Sequence, residues 1–204
     1  MHQHKSSLAT VILAAGRAKR FGNPKQLAHY QGKSLINRAI DVAISISPTQ
    51  PWVILGAHEA QITSQTDLSA ARVIFNPEWH SGMASSIRVA VQHLGATYDA
   101  ILFLSVDQPL INADDLRSIT DAWKENPKQL VCAAFLGQIG IPALFPSRTF
   151  PQLLTLEGDR GGKKILQQHK QRLTQIALAN AAYDIDTVDD LDNLKIDDLD
   201  KLIR

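Results

Sequence analysis

Five apolar runs constrain the fold of this chain more than any other feature: LATVILA (8–14), PWVILGA (51–57), ARVIF (71–75), AILFLSV (100–106) and LVCAAFL (130–136). They are continuous rather than alternating, as strands covered on both faces are. Helical periodicities fall between them. Ser34 is placed to cap a helix whose apolar positions Leu35, Ile36, Ala39, Ile40, Ala43 and Ile44 follow the 3.6-residue period. The stretches 81–94 and 112–126 continue the series, the second with Asn112 as cap and Asp115 three residues on. Thr187 and Asp190 form a similar capping pair near the end. Strands alternating with helices predict a three-layer, doubly wound α/β fold with a mostly parallel sheet and right-handed crossovers. Residues 8–204 are expected to form a single domain after a disordered tail at 1–7. The less regular segment 137–175 is expected to be an insertion that forms one wall of a site.

Composition narrows the class. With 45% hydrophobic and 20% charged residues in 204, the chain can fill a substantial core. A formal net charge of +1 argues against a surface that coats nucleic acid or lies on a membrane. No apolar run reaches the length of a membrane span, and MHQHKSS lacks the apolar core of a secretory signal, so a cytoplasmic location is expected. Cys132 is the single cysteine, which excludes an intramolecular disulfide, and its apolar surroundings mark it as a core residue.

Ligands of open α/β sheets bind beyond the carboxyl ends of the strands, so the loop after the first run is the place to look. Ala14, Ala15 and Gly16 follow Leu13 with almost no side-chain bulk, and a ligand could rest on the backbone there. Arg17, Lys19, Arg20 and Lys25 then place four cations within nine positions. Exposed amides and local positive charge suit a polyphosphate. The two better-known phosphate loops do not fit. Five residues separate Gly16 from Gly22, and Asn23-Pro24 follows, where a Walker A loop needs four residues and then Lys-Ser/Thr. The glycines of a dinucleotide fingerprint are also missing.

Two acidic stretches could hold a metal beside this loop. ILFLSVDQPLI delivers Asp107 at the end of a strand, a position suited to Mg²⁺ shared with substrate phosphates, or to a turn before Pro109. In YDIDTVDDL, Asp184 and Asp186 fall on one face of an extended segment and Ile185 on the other. Asp186 also precedes the cap Thr187, where it could simply stabilise a helix dipole.

The stretch LAAGRAKRFGNPKQL resembles the signature loop of nucleotidyltransferases that use a nucleoside triphosphate and release pyrophosphate, L-A-A-G-x-S-x-R-[MF]-G-x-x-K. Leu13, Ala14, Ala15, Gly16, Arg20, Phe21, Gly22 and Lys25 match, and Ala18 departs where many relatives have Ser or Gly. Further matches come from NPEWHSGMASSI (76–87), GIPALF (140–145) and GDRGGKKIL (158–166). With D-Q-P and D-I-D-T, they resemble the molybdenum cofactor cytidylyltransferases, of the MobA-like NTP transferase family. That resemblance implies the Rossmann-type fold of the nucleotide-diphospho-sugar transferases and transfer of CMP from CTP to the terminal phosphate of molybdopterin. It implies Mg²⁺ on Asp107 and Asp186, with Asp184 structural. It places the nucleotide on Leu13, Ala14, Ala15, Gly16, Arg17, Gly22 and Lys25. Arg20 and Lys25, together with Asp107, form the catalytic set, the two cations on the pyrophosphate. The acceptor falls to Gly82, Met83, Ser86 and Arg160, with free amides at the helix start after Gly82 receiving its anionic group. A molybdenum hydroxylase would receive the product. Open alternatives are transfer from GTP, ATP or UTP to molybdopterin or a sugar phosphate, and a non-catalytic cofactor carrier.

Overall fold

A computed structural model describes residues 7–47, 49–159 and 161–194. The apolar runs pair as their continuity requires. Strand β1 (Leu8–Leu13) is central, parallel to β4 (Trp52–Leu55) on one side and to β6 (Ala100–Ser105) on the other. β5 (Arg72–Phe75) continues beyond β4; beyond β6 come β8 (Gln138–Pro146), β7 (Leu130–Phe135) and β9 (Leu173–Ala177). The order is β5-β4-β1-β6-β8-β7-β9, with β8 antiparallel to both neighbours and the other pairings parallel. A separate two-stranded hairpin, β2 (His29–Tyr30) with β3 (Lys33–Ser34), follows the first loop.

Alternate residues of the central strands enter two cores, which is why their sequences read as unbroken apolar runs. Ile12, Leu102 and Leu104 pack with Leu35, Ile36 and Ile40 of α1 (Leu35–Ile44) and with Leu116, Ile119 and Trp123 of α4 (Ala113–Glu125). Val11, Leu13, Ile101 and Phe103 face the other way. They meet Ile87 and Val91 of α3 (Met83–Leu94), Leu153 of α5 (Phe150–Leu154) and Ile165 of α6 (Lys163–Gln168). A further helix, α2 (Glu59–Gln65), follows β4. The expected caps form. Ser34 Oγ accepts from the Asn37 N–H at 3.3 Å, Asn112 and Asp115 close a capping box, and Thr187 and Asp190 bond reciprocally at the start of the helical residues 188–194.

Three expectations change. The segment 137–175 is not an insertion: it supplies β8, inserted between β6 and β7, and β9 at the edge. β5 lies at the opposite edge, so Val73 and Phe75 are exposed rather than covered. Ser7, read as tail, is tied down, its N–H donating to the Asp99 carboxylate at 2.8 Å; residues 1–6 lie outside the described residues. No helix among the described residues is long and apolar enough to cross a membrane.

Cys132 sits in β7 with no exposed surface, and burial pushes its thiol up to about 12. Native protein is therefore expected to leave Ellman's reagent uncoloured at pH 8, whereas guanidinium-unfolded protein should release one equivalent of thiolate. Fast labelling of the native state would place this thiol outside the core.

Candidate active site

Three segments meet at the carboxyl ends of β1 and β6. The first is the loop after β1, whose cations are brought back by a short 3-10 turn, Lys25–Leu27. The second is Asp107, two residues beyond β6. The third is 184–186, where Ile185 is buried and its N–H donates to the Asp107 carbonyl at 2.9 Å. That main-chain bond turns Asp186 toward Asp107, and the Lys25 ammonium enters between them. Lys25 Nζ lies 2.6 Å from Asp107 Oδ2, 3.2 Å from Asp186 Oδ1 and 3.1 Å from the Ile185 carbonyl. Arg20 closes the other side of Asp186, Nη2 to Oδ2 at 2.7 Å. The Ser105 hydroxyl donates to the second oxygen of Asp107.

The electrostatics follow from this packing. Burial pulls the Lys25 pKa down, but Asp107 and Asp186 outweigh it and hold the ammonium above the ordinary lysine value. Although much of Asp184 is open to solvent, partial burial of its carboxyl, and then the charge of Asp107, push it up to about 6. Lys25 also tests the metal assignment. One cation within 3.2 Å of both acids shows that Asp107 and Asp186 present oxygens to a common point that favours positive charge. Two hard oxygen donors suit Mg²⁺, which takes one or two carboxylates and completes its shell with water and phosphate. Among the described residues no three His, Cys, Asp or Glu side chains converge into a full protein cage.

These groups open onto a cleft of about 590 Å³. Leu13, Ala14, Ala15, Gly16, Arg17, Arg20, Lys25, Asp107 and Asp186 line it, and Gly82, Met83 and Ser86 line it as well. The cleft therefore gathers both halves of the expected site. Gly22 is not among the residues that line it and turns the loop with φ of +81°. Ala18 sits at φ +52°, a left-handed position that costs a non-glycine residue about 1–2 kcal/mol and suits the Gly of relatives better. Arg160 lies outside the described residues. The free amides expected after Gly82 are partly engaged, since the Ala84 N–H donates to Gly158 O at 3.0 Å and the Ser85 N–H to Gly82 O at 3.1 Å. The Ser86 hydroxyl is itself held, accepting from Asn76 Nδ2 at 3.0 Å.

Several lining residues carried no role in the sequence reading: Gln26, Trp79, His80, Ser105 and Asp159. Trp79 packs over Gly56 at the end of β4, where an added Cβ would come within 2.5 Å of Trp79 Cβ and 2.9 Å of Ala15 Cβ. Asp159 follows a glycine in a turn against Gly82, a contact between distant segments that the matched stretch GDRGGKKIL does not by itself announce.

Comparison with known proteins agrees with this architecture. The MobA-like NTP transferase domain matches residues 10–173. A Rhodopirellula baltica protein named "Probable molybdenum cofactor guanylyltransferase" is 33% identical over 136 residues, 65% of this chain and 63% of its own length. The chain thus spans somewhat under two thirds of that relative. The nicotine blue oxidoreductase of Paenarthrobacter nicotinovorans is 27% identical over 89% of this chain and 93% of its own. Among solved structures, Rv0371c of Mycobacterium tuberculosis H37Rv superposes with a TM-score of 0.82 at 28% identity, covering 94% of this chain and 98% of that one. A manganese complex of Rv0371c superposes at 0.79 and 25% identity, over 94% and 99%. With its mostly parallel sheet, its Leu-Ala-Ala-Gly loop and its paired acids in place, the chain belongs to the MobA-like NTP transferase family of nucleotidyltransferases.

Proposed function

We propose that this chain transfers the CMP unit of CTP to the terminal phosphate of molybdopterin and releases pyrophosphate, with Mg²⁺ as its metal. The observation that carries the reading is the Lys25 ammonium set between Asp107 and Asp186 at the mouth of the Ala14–Gly16 turn. Phosphate-binding cations, metal-suited acids and a bare backbone seat then share one cleft. In the reaction, an acceptor phosphate oxygen bonds to the α-phosphorus while the bond to the β-phosphate oxygen breaks, and the electron pair leaves with pyrophosphate. The acceptor is already an anion, so no side chain is needed as base. The chain contributes placement and charge neutralisation. Ala14, Ala15 and Gly16 seat the nucleotide. Lys25 and Arg20, assisted by Arg17, face the departing pyrophosphate. Gly82, Met83 and Ser86 form the acceptor wall, and Arg160, outside the described residues, is the further residue assigned to the acceptor. Asp107 and Asp186 would hold Mg²⁺, which would supply Lewis-acid neutralisation of phosphate charge and a template for the reacting groups.

The Rhodopirellula relative's name favours GTP as the second reading. The oxidoreductase name of the Paenarthrobacter relative finds no support in the first loop, which lacks a dinucleotide fingerprint. The deciding experiment is pyrophosphate release from CTP, GTP, ATP and UTP in parallel, each with Mg²⁺ and molybdopterin, with and without a chelator. Release with CTP alone that stops on chelation is the expected result. Release with GTP alone would keep the mechanism and change the product. Nucleotide binding without release from any of the four would make the protein a carrier.

A further inference from the structure

Lys25 and Gln26 are neighbours on one short turn, yet their side chains serve different parts of the cleft. Lys25 reaches the two acids. Gln26 turns back toward the first strand, where its Nε2 donates to the carbonyls of Ala14 at 2.7 Å and Gly16 at 3.0 Å. Both amide hydrogens are thereby used, which fixes which way the amide points. The carbonyl between them, Ala15 O, accepts from the Ala57 N–H at 3.0 Å. All three carbonyls of the turn are therefore held, in a stretch whose own side chains are too small to hold anything.

The same residue carries a defect. Gln26 is completely buried, and its Oε1 is sealed from solvent with no hydrogen-bond partner. A buried acceptor left unpaired destabilises the fold; a methionine of similar length would fill the space without one, but would leave the Ala14 and Gly16 carbonyls without their donor. Packing alone does not account for glutamine here. Local rules are broken in this way where function requires a group that stability does not.

We infer that Gln26 is the positioning residue of the nucleotide seat. Its two donors hold the Ala14–Gly16 backbone in the shape that receives the nucleotide, and its place beside Lys25 sets that seat in register with the phosphate-binding cation. The inference rests on the reading that the turn seats a nucleotide.

The test is calorimetric titration of CTP and of GTP, each with Mg²⁺, into wild type and Gln26→Met, with melting curves and the KM for molybdopterin recorded alongside. Nucleotide binding should weaken at least tenfold while the protein stays folded with a melting temperature only a few degrees below wild type, because loss of the unpaired oxygen partly offsets the two carbonyls left without a donor. The KM for molybdopterin should stay within twofold. Unchanged nucleotide affinity overturns the inference. So does a larger fall in melting temperature that accompanies loss of every activity, which would make Gln26 a purely structural residue. If wild type binds neither nucleotide, the functional reading falls and the inference with it; if wild type binds and the variant binds equally, the inference alone falls. Should Gln26→Met fail to fold, the side-chain amide resonances of wild-type Gln26 decide. They should shift when nucleotide is added and stay put when molybdopterin is added alone, and resonances unmoved by nucleotide would overturn the assignment.

Discussion

Lys25→Ala is expected to lower pyrophosphate release by about 10³-fold, or about 4 kcal/mol in barrier, at the upper end for removing one preorganised charge-stabilising donor. The effect on folding should be smaller. Removing one member of a buried ion pair costs about 3–5 kcal/mol, but Asp107 keeps its Ser105 hydroxyl and Asp186 its Arg20, and both acids touch solvent, so roughly 1–3 kcal/mol is expected. The variant leaves two carboxylates facing each other with less positive charge between them. Added Mg²⁺ should therefore raise its melting temperature by more than it raises that of wild type. Alkali should not reproduce the mutation at ordinary pH. The Lys25 pKa is held above its usual value, so its contribution to stability is complete below the ordinary lysine pKa and is lost only as pH rises through the raised one. Kinetics and thermal melts of the same preparation check the whole prediction. Equal fractional losses of stability and activity, with no differential response to Mg²⁺, would remove Lys25 from the chemistry.

Gly82→Ala is expected to destabilise the fold by about 2–4 kcal/mol, lowering the melting temperature by about 5–15 °C in a chain of this size. Two separate causes add. Gly82 has φ +100° and ψ 176°, a region open essentially to glycine alone. A Cβ there would also come within 2.5 Å of Asp159 Oδ1 and 2.6 Å of the Gly158 carbonyl carbon and oxygen. A side-chain tip can swing away, but the Gly158 backbone is held by the bond from the Ala84 N–H. Adding Asp159→Ala should accordingly restore only a minor part of the loss. Differential scanning calorimetry measures this directly. A melting temperature within a degree of wild type would mean that the 158–159 turn yields freely and does not brace the acceptor wall.

Much of this arrangement is written locally. Continuous apolar runs gave away strands buried on both faces, and the caps at Ser34, Asn112 and Thr187 are short-range bonds between residues two or three positions apart. The cationic loop and the acid after β6 are likewise visible as clusters. Pairing over long distances left less trace. β8 is marked only by the resemblance of GIPALF, since Gly140 and Pro142 give it no strand periodicity, and it forms because antiparallel partners on both sides complete its hydrogen bonds. β9 lies at the sheet edge and keeps polar Thr174 and Gln175, so its pattern resembles a loop. Cations and carboxylates could each be picked out, but that Lys25 would lie between Asp107 and Asp186 depends on chain crossings no local pattern records. Asp159 falls within the matched stretch GDRGGKKIL, but its approach to Gly82 depends on the same kind of long-range crossing.

The bond from the Ile185 N–H to the Asp107 carbonyl also bears on how the protein tolerates change. The spacing of the two acids is set by main-chain groups that nineteen of the twenty amino acids carry alike. Replacing Ile185 with another apolar residue should alter packing and leave the acids in register. Proline, which has no N–H, breaks the register outright. Robustness to ordinary substitution and vulnerability to one particular residue therefore coexist at a position that bears no chemistry of its own.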